Sequence, residues 1–270
     1  NRIAGADFKT VTADLTDWRS LKDMFSSFRP EAIVHAAAIS RPELCDKLPE
    51  KEVMNINAEV PSNIAGLASD LGAVLLFTST DLVYDGNTGG MLDESGRIDP
   101  KSRYAESKVI AEEKVVSKGG RYLILRTSLL YGIGYGGTAN NFQATLEKFR
   151  KGEKANLFND QFRTPLALHD AAEMISKLTE TGTSSAILNF GGKERISRVR
   201  LGEILCEAGG FDSVLINSIS MNDADTVHKV ADVSMNTEKL QSLGLMQRSV
   251  ELSVKEILES EDSIRQEKLS

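Results

Sequence analysis

The sequence predicts an α/β protein built on a parallel sheet with crossover helices. Apolar runs too short to be helices recur along the chain, and segments with a helical, 3.6-residue periodicity separate them. This alternation is typical of a parallel sheet, because each connection between parallel strands must cross a face of the sheet. With 270 residues, 41% of them apolar, the chain is long enough for one large domain or two modest ones.

The predicted elements follow one another in a regular order. The predicted strands span residues 9–13, 32–38, 73–78, 122–127 and 186–190. The predicted helices span residues 17–28, about 57–71, about 102–117 and about 197–208. Pro30 follows the first of these helices, and the glycine pairs at 119–120 and 209–210 follow the last two, as is typical of helix ends.

Composition and charge exclude several classes of protein. No stretch approaches the ~18 consecutive apolar residues of a membrane span, and the opening NRIAGADFKT has neither the apolar region nor the basic start of a secretory signal. The 32 basic and 39 acidic residues give a net charge of −7, which argues against nucleic-acid binding. Cys45 and Cys206 have no zinc-binding spacing, so we expect a reducing, cytoplasmic location without disulfides or a structural metal.

A glycine-rich stretch, YGIGYGG at residues 131–137, contains the GxGxG pattern of nucleotide-binding loops. A dinucleotide fingerprint lies between the first strand and its helix, about 20 residues before an acidic residue that binds ribose. This stretch follows a later strand, so we interpret it as a loop between two lobes. The chain therefore shows no GxxGxxG fingerprint of its own.

Tyr104 and Lys108 are four residues apart on a predicted helix, so their side chains emerge from one face. A tyrosine with a pKa of about 10 is a poor acid or base near neutral pH, but a nearby ammonium favours the phenolate. Thr80 lies in the STD sequence that ends a buried strand, and ligands of open α/β sheets bind beyond the carboxyl ends of strands. Together these residues favour a site that transfers a proton and hydrogen-bonds a substrate carbonyl over a solvated helix face.

Several motifs, in order, resemble the extended short-chain dehydrogenase/reductases. They are HAAA (35–38), STDLVYDG (79–86), YAESK (104–108) and LRTSLLYG (125–132). Within this family the chain is most similar to the RmlD-like dTDP-4-dehydrorhamnose reductases, whose motifs match residues 139–142 and 159–172. The resemblance implies a Rossmann-type, doubly wound parallel sheet that binds NAD(P)H over residues 1–131. It also implies a smaller, partly interleaved lobe over residues 132–270 that closes over a nucleotide-sugar.

The same resemblance implies catalytic roles for residues that match the family's motifs. Tyr104 would donate a proton to the carbonyl oxygen that is reduced, and Thr80 would hold the same oxygen. Lys108 would lower the pKa of Tyr104 and would hydrogen-bond the ribose of the nicotinamide.

The resemblance places a cofactor surface at two further segments. Asp14, with Leu15, matches the position that contacts the adenine end of the dinucleotide. Ala36, Ala37 and Ala38 match the strand end that passes under the pyrophosphate and ribose, where a small side chain permits close approach. The simpler interpretation of these alanines is a buried strand.

Three residues match the substrate side of the family's site: Asp81, Asn141 and Arg163. Arg163 falls where many relatives place an arginine against the diphosphate of the substrate, a bidentate task that suits a guanidinium. The alternative for Arg163 is a surface ion pair.

Three features depart from the family pattern. The sequence begins after the position of the family's first strand, glycine-rich turn and helix, so we expect roughly 30 residues of that unit to be absent and dinucleotide binding to be weak. Leu129 stands where rhamnose reductases carry a tryptophan. The Arg41-Pro42-Glu43 segment is more similar to the regulatory β subunit of methionine adenosyltransferase.

Two functions therefore follow from the resemblance. The first is an NAD(P)-dependent reductase of a keto group on a nucleotide-sugar, with NADPH favoured over NADH. The second is a non-catalytic, NADP-binding regulatory subunit whose partner is a methionine adenosyltransferase catalytic subunit. A homodimer is compatible with both, and neither involves nucleic acid or a membrane.

Overall fold

The computed structural model describes residues 9–134, 140–225 and 228–269, and for residues 262–269 it describes the backbone alone. The helices are α1 (Trp18–Phe28), α2 (Pro42–Lys47), α3 (Glu50–Met54), α4 (Val60–Leu71), α5 (Arg103–Ser117), α6 (Asn141–Arg150), α7 (Leu168–Glu180), α8 (Arg198–Gly209), α9 (Glu238–Ser242) and α10 (Val250–Leu269). The strands are β1 (Ala32–His35), β2 (Val74–Thr80), β3 (Arg121–Thr127), β4 (Leu130–Tyr131), β5 (Ala155–Phe158), β6 (Phe162–Arg163), β7 (Leu166–Ala167), β8 (Ala186–Phe190), β9 (Ile196–Ser197) and β10 (Ile216–Ile219). Within the described ranges, no helix is both long and apolar enough to cross a membrane.

The central sheet is parallel and has the order β1-β2-β3-β8. Val34 of β1 lies beside Leu76 of β2, and Leu76 lies beside Leu123 of β3. The predicted α/β class is therefore confirmed, as is the pairing of the strands predicted near residues 32 and 73. The fourth strand, β8, comes from a part of the chain well beyond the first three.

Helices cover both faces of this sheet, because successive residues of each buried strand point to opposite faces. Phe77 of β2 packs in a cluster with Leu21 of α1, Ile64 of α4 and Val115 of α5. The other face packs against α7 and α9 through a separate cluster that includes Leu76, Leu125, Met174, Leu178 and Leu240. Helices on both faces make the fold doubly wound.

A second core lies outside the central sheet. Strands β5 and β10 pair in parallel, and helices α6, α8 and α10 pack around them. Phe142 and Leu146 of α6 share this cluster with Ile204 of α8 and Val254 of α10. This core carries the wall of a cavity described below.

The structure corrects the predicted elements near the first strands. Residues 9–13 form no strand, because no described strand lies beside them, and Val11 is exposed. β1 ends at His35 rather than Ala38. Four residues beyond this end, the side chain of Asn57 bonds the backbone in place of a neighbouring strand: Asn57 Oδ1 accepts from Ile39 N at 2.8 Å and Nδ2 donates to Ile39 O at 3.0 Å.

The helix predicted from about residue 57 begins earlier. Helix α3 continues through one π-helical turn, Asn55–Glu59, into α4, which ends at Gly72 in a left-handed conformation (φ 69°). π-Helical turns inside α-helices occur frequently at functional sites. Here the turn contains Asn57, which is buried and whose Nδ2 also donates to Ser107 Oγ of α5 at 3.0 Å.

Candidate active site

Four of the predicted site residues converge at the carboxyl end of β2. Thr80 ends that strand, Asp81 begins the short 3₁₀ turn after it, and Tyr104 and Lys108 occupy one face of the first turns of α5. All four side chains are buried. Ligands of open parallel sheets bind at this edge, so the geometry places titratable groups where chemistry is expected.

Tyr104 lies in a small apolar pocket with Cys45 and Val53. Burial raises the pKa of Tyr104 to about 12, the negative charge of Asp81 adds to that increase, and a hydrogen bond with the Thr80 side chain opposes it. The expected lowering of this pKa by Lys108 is not seen in the structure, where the pKa of Tyr104 is raised, chiefly by burial. At neutral pH Tyr104 is a protonated phenol and can act as a proton donor.

Lys108 is directed at the end of β2. Its Nζ donates to Thr78 O at 2.8 Å and lies 4.6 Å from the centre of the Phe77 ring. Burial lowers the pKa of Lys108 to about 8, and the charge of Glu112, one turn further along α5, limits the decrease. An ammonium has three donors, and among the described residues Thr78 O is the one acceptor that bonds it.

A buried polar network fixes α5 against the sheet. Glu112 accepts from Ser79 Oγ of β2 at 2.5 Å and from Arg126 of β3, whose NH2 lies 2.8 Å from Glu112 Oε2. Arg126 NH1 donates to Tyr84 Oη at 3.1 Å, and Tyr84 Oη donates to Asn189 Oδ1 of β8 at 2.6 Å. The network joins three strands of the sheet to the helix that carries Tyr104 and Lys108.

The predicted alanine segment lies in the loop directly after β1. Ala36 and Ala37 are exposed and Ala38 is half-buried, so their small side chains line an accessible surface at the carboxyl edge. His35, the last residue of β1, is buried and stacks on Phe77. No described residue bonds its Nε2, and burial, with the nearby Lys108 charge, lowers the pKa of His35 to about 4.

The predicted adenine-end residues form a turn ahead of α1. Asp14 is exposed and accepts from Thr16 N at 2.9 Å and from Thr16 Oγ1 at 2.7 Å, which lowers the pKa of Asp14. Leu15 packs against the cluster under the first face of the sheet. In the described contacts, neither residue touches Thr80, Tyr104 or Lys108.

Of the two sequence interpretations of Arg163, the structure overturns the surface ion pair. The side chain is buried, so it forms no surface ion pair, and its Nε lies 3.6 Å from Asp81 Oδ2. Its terminal nitrogens donate to three backbone carbonyls, those of Phe162, Val230 and Ala231. Asp81 also accepts from Ser128 Oγ at 3.2 Å, and burial raises the pKa of Asp81.

A cavity of about 300 Å³ opens between α6, β5 and α8. Its apolar wall includes Phe142, Phe158 and Leu201, and its polar wall includes the predicted residue Asn141 and Arg198. Asn141 is exposed at the start of α6, whereas Asn140 caps that helix, with its Oδ1 accepting from Gln143 N. The glycine-rich stretch at residues 131–137 lies partly outside the described residues, which omit 135–139.

Sequence reasoning missed three residues that shape this region: Asn57, Glu112 and Arg198. Glu112 lies one turn beyond Lys108 in the predicted helix, so its position on the face of Lys108 is readable from the spacing. Asn57 and Arg198 gave no local signal, because each depends on contacts with residues distant in sequence.

Comparisons with known proteins agree with this architecture. The RmlD substrate binding domain family matches residues 3–263. A probable low-salt glycan biosynthesis reductase, Agl14, of Haloferax volcanii is 28% identical over 215 residues, which cover 78% of this chain and 71% of that protein. Methionine adenosyltransferase 2 subunit beta of Xenopus laevis is 25% identical over 241 residues, which cover 87% of this chain and 72% of that protein.

A solved structure shares the fold over most of its length. The dTDP-4-dehydrorhamnose reductase of Bacillus anthracis, crystallised in complex with NADP, superimposes with a TM-score of 0.84 at 24% identity. The match covers 92% of this chain and 86% of that one. At this identity the likeness shows that the two chains share a fold.

Proposed function

The chain belongs to the RmlD substrate binding domain family, and we propose that it reduces a keto group on a nucleotide-sugar with a nicotinamide dinucleotide as the hydride donor. One observation carries the proposal: Thr80, Tyr104 and Lys108 lie together, buried, at the carboxyl edge of a parallel sheet. A tyrosine held as a neutral phenol beside a hydroxyl and an ammonium suits carbonyl reduction, because the oxygen gains negative charge as hydride arrives.

The residues present fit the nicotinamide end of such a cofactor. Ala36 and Ala37 offer an exposed surface without large side chains beside the end of β2. His35 Nε2 lacks a partner among the described residues, and Lys108 has donors to spare. When bound there, a reduced nicotinamide supplies the hydride.

The side chains of this chain perform the remaining work in the proposed reaction. Thr80 Oγ1, which now donates to Asp81 Oδ1 at 3.3 Å, turns its hydrogen to the substrate carbonyl oxygen. The Tyr104 phenol donates its proton to the same oxygen as the alkoxide develops, which is favourable because an alkoxide is a stronger base than a phenolate. Lys108 hydrogen-bonds the ribose and stabilises the phenolate left on Tyr104.

The cavity beside α6 and α8 supports a substrate with a flat, partly apolar end. Phe142, Phe158 and Leu201 suit the face of a base, and the amide of Asn141 offers both a donor and an acceptor to its edge. A nucleotide-sugar has such an end, with the sugar at its other end.

Conservative substitutions test the proposal. Tyr104→Phe keeps the ring, so we expect an almost unchanged melting temperature and a ~10²- to 10⁴-fold lower rate of dTDP-4-keto-sugar reduction, followed by NADPH absorbance. Thr80→Val should lower turnover with a small effect on NADPH binding. The matched control is Tyr122→Phe, which removes a half-buried phenol from β3. Full activity in Tyr104→Phe would contradict the proposal.

A second function is supported by one specific finding, the 25% identity to a methionine adenosyltransferase 2 subunit beta over 87% of this chain. In that case the chain would bind NADP and regulate a methionine adenosyltransferase catalytic subunit without turnover. The Arg41-Pro42-Glu43 segment at the start of α2, in which Arg41 and Glu43 are exposed and Pro42 is half-buried, is the part of the sequence that favours it. A protein that reduces no keto-sugar but changes the kinetics of that enzyme would establish this function instead.

A further inference from the structure

Arg163 has little capacity left to bind a ligand. Both hydrogens of its NH1 are directed at carbonyls, those of Phe162 at 2.6 Å and Ala231 at 3.5 Å. NH2 donates to Val230 O at 3.3 Å, and Nε faces Asp81. A guanidinium has five N–H donors, so four of the five are already directed at protein oxygens. This arginine holds the loop around residue 230 and compensates the buried Asp81.

Arg198, unlike Arg163, has most of its N–H donors without an acceptor among the described residues. It lines the cavity at the start of α8, and its Nε donates to Gln161 Oε1 at 3.3 Å. Across the part of the chain that the structure describes, its two terminal nitrogens have neither a hydrogen-bond acceptor nor a carboxylate within ion-pair distance. Burial, together with the positive charge of Arg163, lowers the pKa of Arg198 to about 10, while Asp81 opposes the decrease.

The charges around the cavity are unbalanced. Arg163 and Arg198 both act on the carboxylate of Asp81, Arg163 also interacts with the charge of Asp232, and Lys148 adds another cation to the cavity wall. The described lining of the cavity contains no acidic residue. Arg198 shares the charge of Asp81 with Arg163, so its own charge is only partly compensated, and an anionic ligand would relieve the cost of burying it.

We infer that Arg198, and not Arg163, binds the anionic group of the substrate, and that this group is a phosphate or diphosphate attached to a ring seated on Phe142 and Phe158. The inference rests on the proposed function, since it assigns the anion site of the same substrate. Two free terminal nitrogens match two oxygens of one phosphate in a bidentate contact. Gln161 acts as a positioning residue, because its amide oxygen orients the guanidinium.

Calorimetric titration of the full chain with three probes tests the assignment without any measurement of turnover. The probes are thymidine diphosphate, thymidine and inorganic pyrophosphate, and the variants are Arg198→Gln, Arg198→Lys and Arg163→Gln. The matched control is Arg200→Gln, which alters a half-exposed arginine of the same helix that pairs with Glu203 and Glu207.

We expect Arg198→Gln to weaken thymidine diphosphate binding by ~10- to 100-fold and to leave thymidine binding almost unchanged. Arg198→Lys should lose less, since it keeps the charge but not the bidentate geometry, and it covers the case in which the glutamine variant fails to fold. Arg200→Gln should bind like the unaltered protein. Arg163→Gln should lower the melting temperature of the protein.

Three results would overturn the inference. The first is an equal loss of affinity for thymidine diphosphate and thymidine in Arg198→Gln. The second is a selective loss of affinity for thymidine diphosphate in folded Arg163→Gln. The third is that the unaltered protein binds none of the probes. The proposed function has a separate test. A chain that reduces no keto-sugar but needs Arg198 to bind pyrophosphate or thymidine diphosphate would lose the reductase assignment and keep the anion site.

Discussion

Replacing Lys108 with methionine is expected to stabilise the fold at neutral pH while removing the ammonium that the proposed reaction needs. The side chain is buried, and its pKa falls from the ordinary 10.5 to about 8. At about 1.4 kcal/mol per pKa unit, this difference corresponds to a cost of about 3 kcal/mol for keeping the ammonium in the folded state. Methionine has a similar length and carries no charge.

The sign of the pH dependence follows from the two pKa values. Between pH 8 and 10.5 the unfolded chain keeps the Lys108 proton and the folded chain releases it, so the stability of the unaltered protein rises over this window. Below pH 8 the cost is fully present. The stability advantage of Lys108→Met should therefore be about 1 to 3 kcal/mol at pH 7, after the lost hydrogen bond to Thr78 O, and should shrink toward pH 10.

Urea unfolding at pH 7 and pH 10 measures this difference, with reduction of a keto-sugar and NADPH binding measured on the same variants. Lys114→Met is the matched control, because Lys114 lies on the same helix but is partly exposed and pairs with Glu59 at 3.0 Å. We expect little change in the control, since exposed ion pairs contribute at most about 1 kcal/mol. The same pH dependence in Lys108→Met and the unaltered protein would refute the reasoning, as would a destabilised Lys108→Met with full activity.

Three further predictions concern the scaffold of the site. The pKa of His35 is lowered from 6.5 to about 4, so between these values the unfolded chain binds a proton that the folded chain does not. Acidification from pH 7 to pH 5 should therefore cost about 2 kcal/mol of stability in urea unfolding, a loss absent from His35→Asn. Glu112→Gln leaves Arg126 without its buried counter-charge and should destabilise by about 3 to 5 kcal/mol, measured by thermal unfolding. Gly192→Ala places a Cβ 2.1 Å from Pro165 O, a backbone atom. We therefore expect the free energy of unfolding to fall by about 1 to 3 kcal/mol in the same assay.

Each of these has an outcome that would contradict it. An unchanged acid dependence in His35→Asn would assign the pH effect to other groups. Stability of Glu112→Gln within about 0.5 kcal/mol of the unaltered protein would mean that the network does not hold α5. For Gly192→Ala the control is Gly66→Ala, where the nearest atom is 4.0 Å from the added Cβ.

Much of the fold was predictable from local sequence. The apolar runs and helical periodicities located β2, β3, β8 and the main crossover helices to within a few residues, because buried parallel strands and amphipathic helices have distinct spacings. The sequence also predicted that Tyr104 and Lys108 share one helix face and that Thr80 lies at a strand end. Each depends on neighbours close in sequence.

Other features depended on partners that no local pattern identifies. Residues 9–13 alternate like a strand but have no described strand beside them, and beyond the early end of β1 the distant Asn57 bonds the backbone of Ile39. The pKa of Tyr104 rises although Lys108 is four residues away. Burial is a property of the whole packed chain, so spacing alone could not weigh it against a nearby charge.

Arg163 and Arg198 show most clearly what the sequence predicts and what the tertiary structure decides. The resemblance of residues 159–172 to a family motif predicted a guanidinium on the substrate side of the fold. Only the tertiary structure decided which guanidinium is free. Asp81, the neighbouring Phe162 carbonyl and two carbonyls from the distant segment around residue 230 bind Arg163. Arg198 faces a cavity without an acidic residue in its described lining. The physical reason is that the availability of a charged group depends on which partners the fold brings within a few ångströms of it, and those partners come from separate parts of the chain.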